Sequence, residues 1–233
     1  MVAFIALPTL LLAINGYALA ITGMEKTLHV FASLAIVLGL SRLSSDHSPS
    51  LWFSIAVIAA PLLRFEGFGL AGAALIALAL WGHWTRAIIT GAIILTVVRA
   101  YATLMTSLGL PLVPSSVMVK SDPTAAAVTS DYGGILSEIL DSFQASLDER
   151  QGLILAIAVI ALLAGAIIAK GRPQTRTVAF VAAAASLAHL LAGRWDWFSR
   201  YEIYIMATAF AGLLIVWPQS SARKFAALQR PVY

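Results

Sequence analysis

Residues 50–82 read SLWFSIAVIAAPLLRFEGFGLAGAALIALALWG. Two uncharged runs, 50–63 and 67–82, are parted only by Arg64-Phe65-Glu66. A helical hairpin in lipid fits this pattern, because each helix satisfies its own backbone hydrogen bonds and the charges gather at the turn. Working outward, further uncharged or nearly uncharged runs occur at 2–22, 27–41, 87–105, 151–169, 177–193 and 200–217. Apolar residues make up 60% of the 233 positions and charged ones only 11%, against about 25% charged in an ordinary soluble chain. Lipid is therefore the expected solvent. The sequence predicts an all-α integral membrane protein with about eight transmembrane helices, forming one polytopic domain over residues 1–233.

The runs at 27–41 and 50–63 fall below the roughly 17–25 residues that a crossing usually takes. They are expected to cross if tucked inside the bundle or extended by flanking Ser and Gly. In the run at 2–22, Ala18-Leu19-Ala20 is similar to a signal-peptidase site, but no positively charged leader precedes it. It reads as a retained span.

With no Cys, the chain has no disulfide, thiolate zinc site or cysteine nucleophile. Its net charge of +4 comes with no basic stripe or zinc-finger spacing, so no nucleic-acid partner is expected. Charge placement explains the excess better. Alternating spans from a cytoplasmic N-terminus put Arg42, Arg86, Lys170, Arg172, Arg176, Arg223, Lys224 and Arg230 on the cytoplasmic side, with Asp46 the single acid there. Both termini are then cytoplasmic, and the protein is a multi-pass component of a cell membrane.

Residues 106–150 form the one long connection, expected on the outer face. Pro111, Pro114 and Pro123 forbid a continuous helix through its first half. From Tyr132 to Leu147 the period changes: Tyr132, Leu136, Ile139, Leu140, Phe143 and Leu147 fall on one helical face. This predicts a short amphipathic helix, read either as a surface patch or as a lid over a substrate opening.

Ionisable groups near apolar runs are costly and mark the candidate site. Arg64 and Glu66 are spaced i,i+2, which does not bring side chains together on a helix, so each is expected to find a partner elsewhere. They read either as headgroup caps or as a rim site in which Arg64 holds an anionic group and Glu66 orients it. Arg99 can snorkel to headgroups or grip a ligand phosphate. His189 reads either as a neutral histidine hydrogen-bonded between helices, the favoured reading, or as a proton shuttle. The densest feature is GRWDWFSRYE at 193–202. Trp195 and Trp197 suit an interfacial belt or a sugar-stacking surface, interleaved with Arg194, Arg200 and Glu202. Lys120 adds a cation in the outer loop. Convergence of Arg64, Lys120, Arg194 and Arg200 would suit a phosphate or pyrophosphate at the membrane surface.

Four ordered segments carry a resemblance. They are Thr22-Gly23-Met24-Glu25-Lys26-Thr27-Leu28, Leu63-Arg64-Phe65-Glu66-Gly67, the stretch from Leu110 to Lys120, and Arg200-Tyr201-Glu202. In this order they resemble the polytopic GT-C glycosyltransferases, in particular the arabinofuranosyltransferase-like bacterial members. Ser115 stands where that family usually has Asn.

The resemblance implies transfer of a sugar from a polyprenyl-phosphate carrier to a cell-envelope acceptor at the bacterial inner membrane. It assigns the phosphate to Arg64, Lys120, Arg194 and Arg200. Glu25, Glu66, Trp195, Trp197 and Glu202 would orient the sugar or these cations. The family's catalytic Asp lies upstream of the Gly-Met-Glu segment, and residues 1–22 contain no acid. The base is therefore expected from a missing N-terminal half or a partner subunit, and no catalytic residue is assigned here. Isolated acids give no metal-ligand spacing, so no cofactor is assigned, and a divalent metal has no support in the sequence. A non-catalytic membrane subunit or assembly factor is the first alternative. A small-solute transporter is another, although no inverted repeat accompanies it.

Overall fold

A computed structural model describes residues 24–110, 132–169, 171–193 and 202–217. These form eight α-helices and no strand among the described residues: α1 (Met24–Ser41), α2 (Leu51–Leu63), α3 (Gly67–Leu80), α4 (Trp84–Ser107), α5 (Tyr132–Asp148), α6 (Arg150–Ile168), α7 (Pro173–Ala192) and α8 (Ile203–Val216).

The expectation of about eight transmembrane helices is corrected by their lengths. Among the described residues three helices are long and apolar enough to cross a membrane: α4, α6 and α7. Lys26–Ser41, Leu51–Leu63, Gly67–Leu80 and Ile203–Val216 are apolar but shorter. At 1.5 Å per residue, the 13 residues of α2 and the 14 of α3 and α8 rise only about 20 Å, against a hydrocarbon core of about 30 Å. The apolar runs continue into turns, and an uncharged turn residue is indistinguishable from a helical one by hydropathy. The expected span at 2–22 lies outside the described residues.

α7 packs against α1, α3, α5, α6 and α8. It is lined with small residues, and Ala179, Ala182, Ala183 and Ala185 are all buried. Small side chains let neighbouring backbones approach closely, which is how apolar helices associate without a difference in hydrophobicity to drive them. Around it Ile36, Leu40, Phe53, Val57, Leu70, Leu155, Leu162 and Ile205 form one continuous core.

α4 lies at the edge, against α2 and α3. Its Ile88, Ile89, Ile93, Leu95 and Val97 are exposed, an apolar surface suited to lipid and costly in water. The described residues thus form an all-helical protein of membrane character.

Polar contacts gather at the two ends of the bundle. At one end the Trp81 indole donates to Thr177 Oγ1 (2.9 Å), and His83 Nε2 donates to the Ser44 carbonyl (2.6 Å). At the other lie the Arg64-Glu66 turn, the end of α7 and the start of α8. α5 docks here, its Ser146 hydroxyl 2.9 Å from the Leu190 carbonyl. The amphipathic stretch is therefore helical and packs on protein.

Candidate functional site

The α2–α3 turn begins where Arg64 leaves the helix for an extended conformation (φ −154°, ψ 137°). Its amide still donates to the Ala60 carbonyl, and the Gly67 amide closes the turn onto the Arg64 carbonyl at 2.9 Å. Glycine is required at 67 because a Cβ there would collide with the Ala60 carbonyl.

Arg64 has left the helix, and the tight turn that follows, with Glu66 already helical in backbone (φ −59°, ψ −22°), folds residue 66 back toward residue 64. Glu66 accordingly meets Arg64: Nη2 to Oε1 is 3.2 Å and Nε to Oε2 is 3.4 Å. This corrects the expectation of separate partners, which assumed helical geometry. The pair is largely sheltered, Arg64 being 10% and Glu66 26% exposed. Burial pulls the Glu66 carboxyl upward. The Arg64 guanidinium and hydrogen bonds from Arg64 and from the Glu66 backbone outweigh that and hold it below the usual carboxylate range.

Beneath the turn lies a buried polar cluster. The Tyr204 hydroxyl donates to the Glu66 carbonyl at 2.9 Å. His189 Nδ1 is 3.2 Å from the same hydroxyl. His29 from α1 packs on the Tyr204 ring with centroids 4.3 Å apart, and His189 meets it edge-on at 5.5 Å. All three are buried. Gly193 ends α7 directly against the His189 ring and carbonyl, where a Cβ would clash with both. Glu202, the residue preceding α8, is also buried.

Of the residues the sequence singled out, Arg64 and Glu66 stand together, with His189 behind them. Arg99 stands elsewhere, lining an open groove of about 820 Å³ on α4 with Thr96, Thr103 and Ser107. Glu25 is the second residue of α1, and its side chain lies outside the described residues, as do Lys120, Arg194, Trp195, Trp197 and Arg200.

Sequence reasoning missed His29 and Tyr204. Both are ionisable groups inside apolar runs, the signal that drew attention to His189, and applying it evenly would have found them. Among the described residues no group of three or more His, Asp and Glu could hold a metal ion. The chain matches no protein family, no curated protein and no solved structure.

Proposed function

We propose that this chain is the C-terminal part, or a subunit, of a membrane glycosyltransferase that moves a sugar from a polyprenyl-phosphate carrier to a cell-envelope acceptor. The observation that carries this reading is the sheltered Arg64–Glu66 pair, held on a turn at one end of an apolar bundle. A charged pair in such surroundings costs desolvation energy that better-packed apolar residues would avoid, so its presence points to use. Arg presents a planar fork that matches phosphate oxygens, and Glu66, engaging Nε and Nη2, fixes the plane of that fork. The ordered GT-C-like segments supply the substrate class.

In this reading the Arg64 end faces outward. A carboxylate from upstream sequence or a partner takes the proton of the acceptor hydroxyl. The acceptor oxygen bonds to the anomeric carbon as the bond from that carbon to the carrier's phosphate oxygen breaks, with its electron pair leaving on the phosphate. Arg64 stabilises that developing charge, together with Lys120, Arg194 and Arg200. Glu25, Glu202, Trp195 and Trp197 orient the sugar and the cations.

The test is glycan transfer in membranes holding the whole enzyme. R64A should reduce transfer at least a hundredfold at equal protein level, with R64K partly active. Wild-type transfer by R64A would remove Arg64 from the mechanism.

A further inference from the structure

We infer that His189 and Tyr204 are positioning residues, forming a directed hydrogen-bond relay from α7 through α8 that sets the Arg64-Glu66 turn. The inference uses the proposed phosphate role only for what the turn is aimed at. The relay itself stands on the geometry.

The direction follows from donor and acceptor chemistry. A backbone carbonyl can only accept, so the Tyr204 proton goes to Glu66. That leaves the Tyr204 oxygen as an acceptor toward His189, and Nδ1 at 3.2 Å must carry the hydrogen. The imidazole nitrogen that is protonated is thereby fixed by a carbonyl on a different element.

Three features hold the relay in place. His29 covers the Tyr204 ring, Gly193 packs against the His189 ring without a Cβ to obstruct it, and burial keeps water from competing at the His189–Tyr204 joint. The Glu66 carbonyl belongs to the residue whose carboxylate grips Arg64. Pinning that carbonyl therefore restricts the peptide from which the carboxylate, and so the guanidinium plane, is set. Tyr204 and His189 act through Glu66 on Arg64 and need not touch a substrate.

The experiment uses the full chain in lipid nanodiscs with ¹⁵N-labelled histidine, as wild type, Y204F, H189N and H189Q. The Asn amide nitrogen can take the place of Nδ1, whereas the Gln amide reaches the position of Nε2. The His189 resonances are those lost in H189N and H189Q, leaving His29, His47 and His83.

Wild type should show His189 with its proton on Nδ1, and Y204F should shift that proton toward Nε2. Amide exchange at Gly67 and Phe68 should quicken at least tenfold in Y204F and H189Q and stay within about threefold of wild type in H189N. A wild-type His189 protonated on Nε2 alone, or equal exchange in H189N and H189Q, would overturn the relay. Should Y204F fail to insert, the wild-type spectrum and the two His189 variants still decide. Normal glycan transfer by R64A would sink the phosphate reading and leave these results standing, whereas normal transfer with the wrong tautomer would do the reverse.

Discussion

The Tyr204 hydroxyl lies 2.9 Å from the Glu66 carbonyl and joins two positions 138 residues apart in the chain. It ties α8 to the turn between α2 and α3, so the polar end of the bundle depends on helices far apart in sequence.

Removing that hydroxyl alone tests its contribution to stability. Y204F keeps the ring and its packing but strips the Glu66 carbonyl of this donor and His189 Nδ1 of its acceptor. Loss of a buried hydrogen-bond partner costs about 1–3 kcal/mol. The thermal midpoint in detergent should fall by several degrees, and unchanged melting would show the contact to be energetically idle.

The Glu66 carboxyl gives a pH dependence with a defined sign. Its folded pKa is depressed below 4.5, so the Arg64 pair contributes stability that is whole above 4.5. That contribution is lost as pH falls through the lower folded value. Wild type should melt above E66Q at pH 7, and the gap should close as pH is lowered through the depressed folded value. A gap that widens in acid would reverse the assignment.

Two glycines should respond oppositely to one methyl group. G193A drives a Cβ into the His189 carbonyl and ring, and overpacking of this kind costs about 1–3 kcal/mol. At Gly72, within α3, a Cβ meets nothing within 4 Å, and Ala is the better helix former by about 1 kcal/mol. Thermal melts should rank G72A at or above wild type and G193A clearly below. The reverse ranking would contradict the packing of α7 against its own end.

Because the chain has no Cys, single introduced thiols report its orientation cleanly. Asp46 and Asp148 are both exposed. Asp46 follows α1 near the Ser44–His83 contact, and Asp148 lies two residues beyond the Ser146–Leu190 contact at the opposite end. A membrane-impermeant maleimide should label D148C in intact cells and D46C only after permeabilisation. Labelling of D46C alone would invert the orientation.

Much of this architecture is legible in the sequence. The break at Arg64-Phe65-Glu66 between apolar runs marks the α2–α3 hairpin, and the 3.6-residue period from Tyr132 to Leu147 marks α5. Helix length is not legible, because Trp81 and Gly82 are as apolar as α3 itself yet lie in its turn. The Arg64–Glu66 contact was hidden for a local reason: it requires Arg64 to leave helical geometry, which the residue types do not dictate. The His29, His189 and Tyr204 cluster was hidden for a global one. Three helices bring it together, and no spacing within any one of them encodes the meeting.

Equilibrium binding of farnesyl phosphate to the full chain in nanodiscs tests the phosphate reading of Arg64 most directly. Saturable binding to wild type, weakened at least tenfold in R64A and less in R64K, is the expected result, since a hydrogen bond to a charged group contributes about 1.5–3 kcal/mol. Equal affinity of wild type and a fully folded R64A would contradict it.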